Sequence, residues 1–326
     1  MIAGYMQSAG RGASFGWQGG EPLLAGIDFF KQVVAYQERY GLSAQLVSNN
    51  LQTNGLLLND EWATFFRRYN FFIGVSLDGP EEDHNHYRSA ANGENGFRQT
   101  IQGIQILRDH EVDFSVLSVV NAVTARKPRE LYAFFIENGL NRLQFIPCVE
   151  LNRDTGAAAD YSVTVEDYRD FLCTLFDVWY NNGHPVASVR LFENILAIYL
   201  GREPELCAFK NWCGSYVVIE YNGDIYPCDF FVEERWLMGN LRETSISDMM
   251  KKRKRREFNS RKREQTSGCT ACEWNFLCHF GCQHYRSSAG ANYLCDAYRE
   301  FFRYTGQRFH ALANSFSTGY SQRARI

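Results

Sequence analysis

The sequence predicts an α/β protein in which a barrel-like parallel βα half is followed by a smaller, cysteine-rich module. Three observations carry that prediction. From Ser14 to about Pro147, short apolar or β-branched runs alternate with longer segments of helical period, the rhythm of repeated βα units. Three of the runs end in polar, glycine-bearing segments, and parallel strands joined by helices carry their functional loops at the strands' C-terminal ends. Past residue 205 the rhythm stops, and eight cysteines fall between Cys207 and Cys295.

Taken in order, strands are expected at residues 14–17, 44–50, 72–77, 114–120 and 143–147. Phe29, Phe30, Val33, Val34 and Tyr36 make one helical apolar stripe and Ile101, Ile104, Ile106 and Leu107 another; both are assigned to packing on the sheet. The loops Gln18-Gly19-Gly20-Glu21-Pro22, Gln52-Thr53-Asn54-Gly55 and Asp78-Gly79-Pro80 fall on one rim, which makes that rim a ligand site. A helix over Val165–Tyr180 closes this half, with the domain boundary expected at 185–205, near 195. Residues 216–220 and 224–226 then flank Tyr221-Asn222-Gly223-Asp224, a hairpin signal. The basic run 251–256, with Arg261, Lys262 and Arg263, reads as a solvated helix face. No aromatic platform accompanies it, so nucleic acid is not the expected partner.

Bulk properties agree. At 326 residues the chain can hold one large domain and a smaller module, and its net charge of -3 creates no field that would recruit nucleic acid. No apolar run reaches the roughly 18 residues of a membrane span. The start, Met1-Ile2-Ala3-Gly4, lacks a basic segment followed by an apolar one, so a cytoplasmic location is expected. In a reducing compartment ten cysteines are metal or redox candidates before they are disulfides.

The cysteine spacing is Cys207-x5-Cys213-x14-Cys228-x40-Cys269-x2-Cys272-x5-Cys278-x3-Cys282-x12-Cys295. A [4Fe–4S] cubane needs four thiolates, so eight suffice for two clusters. A zinc ribbon needs two CxxC pairs, whereas one is present, so the spacing favours iron–sulfur over zinc. Cys148 and Cys173 stand outside the pattern and are expected to be buried small apolar residues.

This pattern resembles the C-terminal SPASM domain of radical SAM enzymes, and among them the anaerobic sulfatase-maturating enzymes. Cys213, Gly223, Cys228, Cys269, Cys272, Cys278, Cys282 and Cys295 satisfy every term of it, and Cys207 adds the ligand that a fully ligated first cluster needs. The resemblance implies that Cys207, Cys213, Cys228 and Cys282 hold one auxiliary cluster and Cys269, Cys272, Cys278 and Cys295 the other. It implies a partial (β/α)6 TIM-like barrel for the first half. There Gly19-Gly20-Glu21-Pro22, with Gln18 before it, looks like the loop that receives the methionine part of S-adenosylmethionine; Ser76 and Asp78 match cofactor-contacting positions, and Arg88 is placed to reach the cofactor's carboxylate. His84 and His86 read as loop or packing residues.

The narrower likeness to sulfatase maturation rests on Gln18, Leu143-Gln144-Phe145-Ile146, Val189-Arg190-Leu191-Phe192 and Tyr226-Pro227-Cys228-Asp229-Phe230. It implies that Asp229 takes the proton from a cysteine or serine of an unfolded sulfatase segment. A 5′-deoxyadenosyl radical removes hydrogen from the substrate Cβ, the auxiliary clusters take the electron, and Cα-formylglycine results. An electron donor such as flavodoxin or ferredoxin, and an anaerobic host, are implied with it. The family's CxxxCxxC motif is not in this chain, since no cysteine precedes Cys148. The barrel is therefore expected to be incomplete, through a truncated gene model or a degenerate paralogue, with Met1 inside the helix after the first strand and no site for the radical-generating cluster. Two other readings share the cysteines: a SPASM enzyme forming thioether or carbon–carbon crosslinks, and a non-catalytic, cluster-bearing peptide scaffold.

Overall fold

The computed structural model describes residues 1–88, 95–152, 155–214, 216–264, 267–287 and 290–323. The chain divides into two compact units. One comprises Met1–Ser118, Arg142–Gln144 and Leu241–Met250; the other comprises Val119–Asn141, Phe145–Asn240 and Lys251–Ile326.

The first unit opens on helix α1 (Ile2–Ser8) and continues β1 (Gly12–Trp17), α2 (Ile27–Tyr40), β2 (Leu46–Thr53), α3 (Asp60–Arg68), β3 (Phe71–Ser76), α4 (Glu81–Tyr87) and α5 (Gly96–Asp109) into β4 (Phe114–Val120). All five expected strands form, with ends shifted by a residue or a few. The first four pair in parallel, in the register Ser14↔Ser48, Asn50↔Phe72, Gln52↔Gly74 and Ser76↔Leu117. Sequence explains the helices locally. Asn59 caps α3 by accepting the Trp62 N–H at 3.0 Å; Asp60 and Glu61 lie in its first turn and Arg67 and Arg68 in its last, the charge order the helix dipole favours. In α2, Phe30, Val33 and Val34 are buried as expected, but Phe29 and Tyr36 are exposed, because they lie at the edges of the stripe.

The chain continues with α6 (Pro128–Glu137), β5 (Arg142–Pro147), whose first three residues belong to the first unit, α7 (Val165–Tyr180), β6 (Ser188–Val189) and α8 (Arg190–Tyr199). The strand order of the parallel sheet is β1-β2-β3-β4-β5-β6. Thr164 caps α7 by accepting the Asp167 N–H, and Asn181 ends it in the left-handed region. The buried stripe of α7, from Tyr168 to Trp179, receives the long terminal helix, where Phe176 and Phe309 lie 4.8 Å apart between ring centres. Arg308 anchors that contact by donating to Asp177 at 2.6 Å.

The cysteine-rich part is a three-stranded antiparallel sheet, β7 (Val218–Ile219), β8 (Asp224–Tyr226) and β9 (Gly239–Asn240), with short helices α9 (Ile246–Lys251), α10 (Arg253–Arg261), α11 (Ser267–Thr270) and α12 (Asn275–Cys278) before α13 (Cys295–Arg323). The expected hairpin is β7–β8, pairing Ile219 with Ile225. Gly223 turns it at φ +92, and Asn222 accepts the Asp224 N–H at 3.0 Å. Strand β9 has no hydrophobic signal of its own; Asn240 brings it in, donating to Asn222 O at 3.1 Å and Asp224 Oδ1 at 2.9 Å. Trp236, Phe258, Tyr226 and Cys213 form the core of this part.

Candidate active site and cluster-binding module

In the first unit the sheet has two unlike faces. Ala13, Phe15, Leu51, Ile73, Val75 and Val116 are buried on one. The other carries Ser14, Gly16, Ser48 and Asn50, all exposed, and continues through Gln52, Phe72 and Gly74 to Ser76, with Phe72 the large apolar member. A parallel sheet covered on both sides reads as continuous apolar strands. Small polar residues at period two therefore leave this face open and hydrophilic, a surface suited to a polar cofactor. Sequence analysis did not single out Ser14, Ser48 or Asn50; the signal was the alternation Ser48-x-Asn50-x-Gln52 inside a strand.

The rim loops are tied together at the strands' ends, and Glu21 is the knot. Its Oε1 accepts from the Leu23 N–H at 3.1 Å and the Thr53 hydroxyl at 2.8 Å, and its Oε2 accepts from the Asn54 N–H at 2.8 Å. That joins the loop after β1 to the loop after β2. Gly19 (φ +103) and Gly20 (φ +51) lie exposed just before it, in backbone conformations that favour glycine. The Glu21 carboxylate is engaged by the protein and ties down the chain that follows Gly19 and Gly20. Pro22 starts the short turn that follows, and Gln18 is exposed beside the glycines. Ser76 Oγ accepts from Gln52 Nε2 at 3.1 Å, linking β2 to β3.

The loop after β3 is built around a buried pair. Asp78 is 2 % exposed and accepts from Arg88 Nε at 2.5 Å, so Arg88 sits on a protein carboxylate. His84 accepts the Asp78 N–H on Nδ1 at 3.3 Å; burial lowers its pKa to about 4, so the ring is neutral and fills a packing position.

In the second unit all ten cysteines are free thiols. Cys148 and Cys173 are half-buried rather than buried; burial raises the Cys173 thiol to about 11. The other eight fall into electrostatic neighbourhoods. Cys207 feels Cys213, and Cys282 feels Cys207 and Cys213. Cys278 feels Cys295 and Cys269, and Cys295 feels Cys269 and Cys272. Cys228 lies beside Asp229, whose charge also reaches Cys207. Burial is the largest influence on Cys278 and Cys282, raising each to about 11, so a metal must displace protons to bind them. Among the described residues no three His, Cys, Asp or Glu side chains are close enough to share one metal ion. Eight thiols match in number the four thiolates that each of two cubanes requires.

Asp229 follows Cys228 on a short turn, Asp229–Phe231, and is exposed. Its Oδ1 accepts from the Tyr216 hydroxyl at 2.6 Å and from the Cys228 thiol at 3.3 Å. Its Oδ2 has no hydrogen-bond partner among the described residues. Burial raises the Tyr216 phenol well above its ordinary value, so Tyr216 remains a donor. Sequence analysis missed Tyr216, because nothing local in a chain marks a tyrosine thirteen residues before its partner.

The basic run departs from the solvated face expected for it. Lys252 and Lys254 donate to the carbonyls of Met238 and Leu237, Arg255 to that of Gly214, and Lys262 is fully buried. The physical reason is that short, irregular loops between cysteines leave carbonyls without strand partners, and long cationic side chains reach them. Lys251, Arg253, Arg256 and Arg263 are the members that face solvent.

Comparison with known proteins agrees with this architecture. The Radical SAM superfamily model matches residues 1–135, and the SPASM iron–sulfur cluster-binding domain model matches residues 207–273. The protein is thus of the radical SAM class, with a SPASM domain. The chain is 34% identical to a cysteine-type anaerobic sulfatase-maturating enzyme of Clostridium perfringens, over 97% of this chain and 87% of that one. It is 35% identical to a serine-type enzyme of Bacteroides thetaiotaomicron, over 89% of this chain and 75% of that one. A solved structure described as native anSMEcpe with bound AdoMet and Cp18Cys peptide superposes with a TM-score of 0.92 at 33% identity, covering 97% of this chain and 90% of that one. The chain belongs to the family of anaerobic sulfatase-maturating enzymes.

Proposed function

We propose that the protein serves the oxidation of a cysteine or serine in an unfolded sulfatase segment to Cα-formylglycine, with Asp229 as the proton acceptor. The observation that carries this reading is the state of Asp229: one carboxylate oxygen is held by Tyr216 and Cys228 while the other is open, on the turn that follows a cysteine of the SPASM module. S-adenosylmethionine cleaved at a cluster whose CxxxCxxC ligands this sequence does not carry would supply hydrogen abstraction at the substrate Cβ, and the auxiliary clusters would accept the electron that remains. Asp229 Oδ2 takes the thiol or hydroxyl proton. One hydrogen atom, one proton and one electron leave the substrate; water then replaces sulfur with loss of hydrogen sulfide where the substrate is cysteine. Gln18, Gly19, Gly20, Ser76 and the open polar face hold S-adenosylmethionine, with Glu21 fixing the loop and Asp78 and Arg88 shaping its neighbour. Cys207, Cys213, Cys228 and Cys282 ligate one auxiliary cluster and Cys269, Cys272, Cys278 and Cys295 the other. A cytoplasmic setting, a flavodoxin- or ferredoxin-type donor and a functional boundary near residue 195 belong to the same reading. Among the described residues no helix is long and apolar enough to cross a membrane.

The test uses the chain extended at its N-terminus by a CxxxCxxC segment, reconstituted anaerobically and given cysteine- and serine-containing sulfatase peptides. Aldehyde-specific hydrazide labelling should detect formylglycine with the native sequence and none with Asp229→Asn. Labelling retained in Asp229→Asn removes Asp229 from the mechanism. The cysteine-type and serine-type relatives are equally similar, so both peptides are needed to choose between substrates.

A further inference from the structure

Lys262 is a buried cation that hydrogen-bonds to no carboxylate among the described residues. Its side chain has no solvent exposure, and Nζ donates to the carbonyls of Cys207 at 2.9 Å, Ala208 at 3.0 Å and Gly281 at 2.8 Å. An ammonium has three N–H donors and a neutral amine two, so three carbonyl acceptors around one nitrogen call for the protonated form. Burial pushes its pKa down, and so does the Arg286 guanidinium, while Cys213, Cys282 and Cys207 push it up. Arg286 donates in turn to the carbonyls of Arg261 and Lys262, with Cys213, Cys269, Cys282 and Glu264 around it.

Carbonyl dipoles alone are poor compensation for an ammonium taken fully out of water. Three of the four cysteines assigned above to the first cluster surround this one. A cluster ligated by four thiolates is net anionic, so the loaded module supplies the counter-charge that the protein's carboxylates do not. In the second set Lys262 also reaches Cys278, but behind burial, a backbone hydrogen bond and two neighbouring thiols, and the first charged neighbour of Cys295 is Asp296.

We infer that Lys262 is the built-in counter-cation of the cluster held by Cys207, Cys213, Cys228 and Cys282, fastening its ligand loops and raising its reduction potential. The inference rests on the ligand assignment proposed above. The three N–H bonds join the Cys207–Ala208 turn to Gly281, one residue before Cys282, so two distant ligand segments are held by one nitrogen. A fixed positive charge favours the more negative, reduced form of a neighbouring cluster, which makes that cluster the readier electron acceptor. Lys262 is a positioning residue, since it touches backbone and neither substrate nor reacting atoms.

The full chain, reconstituted anaerobically with iron and sulfide, is compared with Lys262→Gln, Lys262→Met and Lys262→Arg by iron analysis and by redox titration followed by electron paramagnetic resonance. In Lys262→Gln and Lys262→Met one of two cluster potentials should move to a more negative value, and further than the other, or iron should fall from about eight to about four per chain. Lys262→Arg, which keeps the charge, should hold about eight irons with both potentials near the native ones. Full iron with both potentials unmoved in Lys262→Gln and Lys262→Met overturns the inference, as does equal loss of iron in Lys262→Arg and Lys262→Gln. Native protein that takes up no iron, or takes zinc instead, refutes the ligand assignment.

Discussion

Replacing Glu21 by glutamine keeps the side chain's volume and removes the acceptor geometry that joins the loops after β1 and β2. The carboxylate accepts three hydrogen bonds, from Leu23 N–H at 3.1 Å, the Thr53 hydroxyl at 2.8 Å and Asn54 N–H at 2.8 Å. A glutamine amide has one oxygen. Placed to serve Leu23 and Thr53, it turns its NH2 toward the Asn54 N–H and leaves that donor without a partner. An unsatisfied buried donor costs about 1–3 kcal/mol, and the loss of charge assistance in the other two adds to it. Glu21 is half-buried, so water recovers part of this, and the net local cost is about 2 kcal/mol. At about 1.4 kcal/mol per tenfold, amide hydrogen exchange at Leu23 and Asn54 should accelerate roughly 30-fold. Exchange at Ile225 and Tyr226, in the cysteine-rich part, should not change. Acceleration of less than about threefold at Leu23 and Asn54 would refute the reasoning, because it would mean that the loops are held by something other than this carboxylate.

Three further outcomes are expected. Cys282→Ser and Cys295→Ser should each lower bound iron from about eight to about four per reconstituted chain, whereas Cys148→Ser and Cys173→Ser should leave it at about eight; an equal loss in Cys148→Ser would break the division of the cysteines. Gly103→Ala puts a Cβ 2.5 Å from the Gly55 carbonyl oxygen, a backbone atom that cannot step aside, so urea midpoints should fall by the equivalent of about 1–2 kcal/mol, and a gain in stability would contradict the packing. His84 has a folded-state pKa of about 4 against 6.5, depressed first by burial, so the unfolded chain takes up the proton first as pH falls. Its stabilisation is complete above pH 6.5, is lost as pH falls toward about 4, and amounts to about 3 kcal/mol at most. Urea midpoints from pH 7 to 4 should drop more steeply for the native chain than for His84→Gln, and parallel curves would exclude His84 as the cause.

Much of the fold was legible because parallel βα units write themselves locally. Each strand is a short apolar run and each cover helix a stripe at three- and four-residue spacing, so pattern alone located β1 to β5 and α7. The hairpin at Asn222-Gly223 was legible for the same reason, since its turn needs only the residues that form it. Strand β9 was not, because two residues, Gly239 and Asn240, are recruited by side-chain hydrogen bonds to a turn some eighteen residues earlier. The basic run was legible as charge and misread as surface, because burial is decided by which carbonyls the loops leave unpaired, and sequence does not display those.

The sequence by itself determined the inventory of chemistry: the glycine-bearing loops at the strand ends, the eight cysteines, and an aspartate directly after one of them. Spacing and order are properties of the chain, so they survive without coordinates. Only the tertiary structure decided what each group is free to do. Glu21 is consumed by two backbone donors and a hydroxyl, Arg88 by Asp78, and Asp229 keeps one open oxygen because Tyr216 occupies the other. Lys262 lies inside a nest of carbonyls among thiols. Hydrogen bonds and desolvation act through space between residues far apart in the chain, which is why the reactive state of a side chain belongs to the fold.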